Sequence, residues 1–232
     1  MTLNRTAIEW CDVTWNPVTG CLRGCKFCYA RNIANRFKKN YAEWFAPKFY
    51  PERLQDPYTQ KKPKVIFVVS MGDLFDDKVP LPWIESVLES CLSAPWHTYI
   101  FLTKNPDKMR LFFQDYAVQK NFWLGTSCGE SKESWKRMVP IIEIGGINGW
   151  NTFLSVEPLQ EQNPNFYLGG IKWVIVGIRT NPLTPCTPEV IGNTIANVRQ
   201  LCIPLFLKDS VIQCFPEIKP TREFPEGVCL YG

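Results

Sequence analysis

Cys21, Cys25 and Cys28 stand as C-x3-C-x2-C in the run CLRGCKFC. Three thiols within eight residues form the densest set of soft ligands in the chain, and thiolates at such spacing hold a metal ion or a cluster. Three is one fewer than closes a structural zinc site or saturates a cubane iron-sulfur cluster. One metal position is then left open, and metal catalysis uses open positions. Two other chemistries fit part of the pattern. A zinc site needs a fourth ligand, for which Cys11 is a candidate, while the single histidine, His97, is remote in sequence. A redox dithiol of Cys25 and Cys28 leaves Cys21 unexplained. The remaining cysteines, Cys91, Cys128, Cys186, Cys202, Cys214 and Cys229, form no second close-spaced triplet, so one metal centre is the economical reading.

Elements that would position these thiols are visible as apolar runs. Segments 9–15, 64–71, 97–104, 122–128, 151–158, 172–178 and 204–209 are short, rich in branched and aromatic residues, and read as buried strands. Between them, 30–39, 82–93, 106–116, 131–142 and 188–201 read as helices, several opening on proline. Strand and helix alternate, which predicts a parallel α/β sheet with right-handed crossovers, either doubly wound or a full or partial (β/α) barrel. The cysteine run follows the first strand, and functional loops of a barrel gather at the C-terminal ends of its strands, so the barrel is favoured. Segment 41–62, with Pro47, Pro51 and Pro57, reads as a long irregular insertion, either a lid over that mouth or a solvated loop. Neither repeats nor linker composition cut the chain, so residues 1–232 are expected to form a single domain.

Composition narrows the class. With 232 residues, 45% hydrophobic and 21% charged, the chain can bury one large core. Ten cysteines fall below the density of a disulfide scaffold, and thiolate-held metal needs a reducing compartment, so a cytoplasmic location is expected. No apolar signal region follows the N-terminus and no run of apolar residues is long enough to span a bilayer. A net charge of +4 and a pI near 8.5 lack the clustered basic surplus of a dedicated nucleic-acid binder, so long nucleic acid is not the expected partner.

The cysteine run resembles the C-x3-C-x-aromatic-C signature of the radical S-adenosylmethionine (SAM) superfamily at every defined place, with Phe27 as the aromatic residue. That resemblance implies a radical SAM-type barrel in which Cys21, Cys25 and Cys28 hold a 4Fe-4S cluster. SAM would chelate the fourth iron and be cleaved to a 5'-deoxyadenosyl radical, with electrons from a donor such as flavodoxin or ferredoxin. It further implies that Phe27 lies near the adenine. Ser70, Gly72 and Asp73, after the second strand, would take the place of a Gly-Gly-Glu-like segment that accepts the SAM amino group. Lys104 would pair with the SAM carboxylate and Ser127 with the ribose. A strand-to-helix turn capped by Asp73 is the structural alternative for the 70–73 segment. More widely, the phrases IEWCDVTWNPVTGC, GDLF, FLTK, WLGTS, FLSVEPL and WVIVG are similar to a phage and bacterial family of formerly unknown function that carries a radical SAM cysteine motif. Many members have a longer gap between the first two cysteines. Members often continue the sixth strand with Gly-Glu-Ser-Gly, where this chain has Gly177-Ile178-Arg179-Thr180.

Candidate substrate groups come from strand ends. Phe153, Ser155 and Glu157 share one face of their strand, which aims the Glu157 carboxylate toward the mouth; Asn16 and Asp209 hold analogous places. Trp10 and Trp15 flank the first strand and either stack a planar ring or belong to the core. No room is left for an auxiliary-cluster or RNA-binding domain, so a small heterocyclic substrate is expected. Among small-substrate activities the whole sequence resembles queuine lyase, a carbon-nitrogen lyase that releases 7-aminomethyl-7-deazaguanine from the free base queuine. No single spacing carries this last resemblance. Two other classes stay in view: radical SAM modification or repair of a DNA or RNA base, and a zinc-binding nucleic-acid or protein interaction module.

Overall fold

The computed structural model describes residues 3–36, 46–163, 167–180 and 182–231. The chain divides into two compact units, Met1–Thr103 with Leu230–Gly232, and Lys104–Cys229. The division falls directly after a strand, where no linker composition marks it.

In the first unit the elements run β1 (Asn4–Arg5), β2 (Val13–Trp15), β3 (Val18–Thr19), α1 (Tyr29–Arg36), β4 (Lys48–Phe49), α2 (Asp56–Thr59), β5 (Val65–Val68), α3 (Leu81–Leu92) and β6 (Thr98–Thr103). The main strands lie in the order β1-β2-β5-β6. β2, β5 and β6 are parallel, with Thr14 opposite Phe67 and Ile66 opposite Tyr99, and β1 is antiparallel to β2. All four residues of β5 are buried, as a strand covered on both faces requires. α3 carries Pro82 in its first turn, where no intrahelical donor is needed, and buries Ile84, Val87, Leu88 and Cys91. Trp15 is fully buried with its indole N–H donated to the Arg53 carbonyl at 2.9 Å, and Trp10 is buried against the Phe67 ring at 4.8 Å, so both are core residues.

Residues 46–62 are more regular than the irregular insertion expected over 41–62. Residues 41–45 lie outside the described ones, as do 37–39 of the helix expected at 30–39. The rest holds β4, which pairs antiparallel with β3, a 3-10 turn at Pro51–Arg53, and α2. The prolines that read as breakers instead open these short helices, at Pro51 and Pro57.

In the second unit the elements are α4 (Pro106–Phe113), β7 (Phe122–Cys128), α5 (Met138–Gly146), β8 (Asn151–Val156), β9 (Trp173–Val176), β10 (Arg179–Thr180), β11 (Leu183–Thr184), α6 (Pro188–Gln200), β12 (Leu205–Leu207) and α7 (Asp209–Cys214). The order β7-β8-β9-β12 is parallel throughout, and β10 and β11 form a small antiparallel hairpin. Trp173 is buried edge-on to Phe206, ring centres 6.4 Å apart, and gives its indole N–H to the Glu223 carbonyl at 3.0 Å. The backbone of Thr221 and Glu223 bonds Leu207 and Leu205 at 2.8 and 3.0 Å, which covers that side of β12.

The α/β class and the mostly parallel strands match the sequence expectation. No pairing among the described residues closes a barrel. No helix among the described residues is long and apolar enough to cross a membrane.

Candidate metal centre and strand-end residues

Gly20, which precedes Cys21, is fixed against the turn after β5. It pairs with Gly72 in a parallel bridge, donates its N–H to the Met71 carbonyl at 3.0 Å and accepts from the Asp73 N–H at 3.4 Å. Both positions need glycine. Gly20 has φ +94°, and a Cβ there would lie 2.4 Å from the Ala46 carbonyl oxygen; a Cβ on Gly72 would lie 2.7 Å from the Gly20 oxygen. Side chains continue the docking. The Leu22 N–H donates to the buried Asp76 carboxylate at 3.1 Å, and the Arg23 guanidinium lies 3.9 Å from Asp73. Asp73 also accepts from the Thr103 hydroxyl at 2.6 Å and the Phe75 N–H at 3.0 Å, the second closing a local turn; it caps no helix, since α3 begins only at Leu81. The Tyr29 hydroxyl donates to the Ser70 carbonyl at 2.5 Å.

The three thiols are part-buried on this fixed loop. The Cys28 N–H donates to the Cys25 carbonyl at 3.2 Å, and the Cys28 sulfur accepts the Arg31 N–H at 3.4 Å as α1 begins. Cys28 and Met71 pack on the buried Ala30 and Ala34, so the helix holds the third thiol in place. Burial pushes the Cys21 thiol up to about 12, with the Asp73 and Asp76 carboxylates and Cys25 adding to the effect and the Arg23 N–H opposing it. At Cys21 a soft, part-buried sulfur that is neutral until a cation displaces its proton suits a metal-loaded loop. Among the described residues no three His, Cys, Asp or Glu side chains are already gathered as a ligand set. In number and type, though, the donors fit an iron-sulfur cluster that takes three protein ligands.

The extra ligands a zinc site would call on are committed elsewhere. Cys11 precedes β2 while the cysteine run follows it, and its buried thiol faces the Ile8 carbonyl at 3.9 Å. His97, also buried, precedes β6. Its Nδ1 accepts the Lys64 N–H at 3.1 Å, so its Nε2 carries the proton and donates to the Pro57 carbonyl at 2.9 Å.

The other residues expected near the cofactor in this unit do gather around the loop. Ser70, Gly72 and Asp73 form its docking platform, and Phe27, part-buried, sits within it directly before Cys28. Asn16 is buried, and its side-chain oxygen accepts from the Ser70 hydroxyl at 3.2 Å and the Met71 N–H at 2.8 Å. It braces the platform, a loop-capping role. Asp76 and Tyr29 were missed by sequence reasoning: only the folded loop brings Asp76 to the cysteines, and Tyr29, which directly follows Cys28, acts through Ser70, 41 residues away in the chain.

The second unit holds the remaining candidates. Lys104 is bound to Glu130 at 3.3 Å, and Arg137 pairs with the same carboxylate oxygen while donating to the Ser127 carbonyl at 3.1 Å. Burial pushes the Glu130 carboxyl up, but Lys104 and Arg137 outweigh it and hold the group below the ordinary range. The Ser127 hydroxyl reaches the Glu157 carbonyl at 3.4 Å. Glu157 follows β8, and its carboxylate accepts from the Lys208 ammonium at 2.6 Å. Lys208 was missed: it stands one residue before Asp209, and the three-residue β12 is too short for alternation to tell which of the two turns inward. Asp209 does not share that place. It opens α7 with its side chain 77% exposed and pairs with Arg222.

No curated protein and no solved structure is significantly similar to this chain. The family model described as "Protein of unknown function (DUF5131)" matches residues 5–210, most of the chain, and the protein belongs to that family.

Proposed function

We propose that this protein is a radical SAM enzyme of the (β/α)-barrel type, in which Cys21, Cys25 and Cys28 hold a 4Fe-4S cluster and leave one iron for SAM. One observation carries the proposal: the three-thiol loop follows the C-terminal end of a parallel strand and is tied by Gly20 to Gly72 in the turn after the neighbouring strand. In an α/β sheet that end is where cofactors bind. When bound, the reduced cluster supplies homolytic cleavage of SAM to a 5'-deoxyadenosyl radical that takes hydrogen from the substrate.

The chain's own residues bind and orient. The 70–73 turn would offer backbone carbonyls to the SAM amino group, and Phe27 would lie beside the adenine. The substrate is a small planar nitrogen heterocycle of the queuine type, cleaved at its side-chain carbon-nitrogen bond to release 7-aminomethyl-7-deazaguanine. Glu157 accepts its N–H donors. A small electron-transfer protein such as flavodoxin or ferredoxin supplies the electron.

Anaerobic reconstitution tests the metal assignment. Iron and sulfide are expected at about four each per chain, with loss on Cys21→Ala, Cys25→Ala or Cys28→Ala. About one zinc per chain, held by the same cysteines and not displaced by iron and sulfide, would contradict it.

A further inference from the structure

Glu157, Gly177 and Lys208 directly follow β8, β9 and β12, three neighbouring parallel strands whose last residues are in register, Val156 with Val176 and Val176 with Leu207. Their backbones stay tied beyond the strands. Gly177 N–H donates to Val156 at 3.1 Å, Lys208 N–H to Val176 at 3.0 Å, and Leu159 N–H to the Gly177 carbonyl at 2.9 Å. The Glu157–Lys208 pair lies across the middle strand, in the space a side chain on Gly177 would fill: a Cβ there would stand 2.9 Å from Cδ of both residues. The side chains are 30% and 19% exposed, so solvent or a ligand reaches the pair without its being loose on the surface. A part-exposed ion pair of this kind adds little to folding.

Its chemistry suits recognition. The ammonium has three N–H donors and gives one to Glu157; the carboxylate offers acceptor sites on both oxygens. Donors and acceptors therefore stand side by side over Gly177. We propose that Lys208, together with Glu157, reads the lactam edge of a 2-amino-6-oxo purine-like ring: the carboxylate accepts the ring N–H and the exocyclic amine, the ammonium donates to the 6-oxo group, and Gly177 leaves room for the pair. This assignment of Lys208 and Gly177 as specificity residues rests on the proposal that the substrate is a planar base. A 6-amino ring lacks both the ring N–H and the oxo acceptor, and sets a donor against the ammonium and a ring lone pair against the carboxylate, which is a strong basis for rejection.

The test is calorimetric titration of the full, anaerobically reconstituted chain with 7-deazaguanine and with 2,6-diamino-7-deazapurine. The parent is expected to prefer the 6-oxo ring by tenfold or more. Lys208→Met should bind that ring about tenfold more weakly and lose the preference while its SAM affinity is unchanged. Gly177→Ala, which displaces the pair without removing either charge, should do the same and decides the matter if Lys208→Met does not fold. A parent without preference, or folded variants that keep it, would overturn the assignment. Formation of 5'-deoxyadenosine, assayed on the same parent preparation, reports separately on the radical chemistry, so failure of one proposal is not mistaken for failure of the other.

Discussion

At Cys21 burial and two neighbouring carboxylates act in the same direction, so the metal-free loop holds a neutral thiol at neutral pH and loading releases a proton. His97 shows how a residue type that suggests chemistry can be structural. Burial lowers its pKa below the ordinary 6.5, and both ring nitrogens are bonded to backbone. Because the unfolded chain binds the proton more readily, the stability this residue contributes is full above pH 6.5 and is lost as pH falls below that value toward the folded pKa. Thermal midpoints measured from pH 7.5 down to pH 5.5 should therefore fall for the parent. His97→Gln, able to accept and donate the same two bonds without titrating, should flatten that slope; an unchanged slope would show that other groups set it. Glu157→Gln should weaken binding of the base about tenfold by leaving one acceptor where two N–H donors arrive, and should leave SAM affinity as it was. Equal affinity for the base in variant and parent, again by titration, removes Glu157 from substrate binding. The cysteines and Glu157 were legible because their spacing or strand position marks them. Lys208 and Asp76 were not, since each matters through a partner distant in the chain, and Arg137 was not, since it lies in a short 3-10 turn away from any strand end.

Elements were legible where burial forces a pattern. Val65–Val68 and Phe122–Cys128 are continuous apolar or small runs and fold as central strands near their expected bounds. The expected strand 9–15 shrinks to Val13–Trp15, because residues 9 and 10 lie in a turn. The expected helix 131–142 becomes a 3-10 turn at Glu133–Arg137 followed by α5, since Pro140 lacks an N–H and is tolerated only in a first turn. α7 has six residues, too few for a periodicity to show. The cysteine loop itself depends on an element-level contact, Gly20 against Gly72. Gly72→Ala would push a Cβ into backbone that cannot yield, so iron and sulfide per chain should drop well below the parent's while far-UV circular dichroism is retained. Full loading of that variant would show that the bridge does not hold the loop for the metal.

For the molecule as a whole, a net charge of +4 spread over 232 residues agrees with a substrate small enough to need no nucleic-acid surface. Oligonucleotides should accordingly bind weakly, and reconstituted protein should process free base without them. Tight, steeply salt-dependent oligonucleotide binding would favour a base-modifying enzyme acting on a strand. The α/β class could be read from alternating apolar runs, but the division after Thr103 could not, because β6 ends there without any change of composition. Family membership over residues 5–210 extends the likeness beyond the cysteines without supplying an activity, which leaves the chemistry to be decided at the loop. The most direct test is to reduce the reconstituted protein anaerobically with SAM and follow 5'-deoxyadenosine by mass spectrometry, with and without queuine. The account predicts 5'-deoxyadenosine that requires Cys21, Cys25 and Cys28, increases with queuine and is accompanied by 7-aminomethyl-7-deazaguanine. Protein that carries its full iron and sulfide yet forms no 5'-deoxyadenosine under any reductant would contradict it.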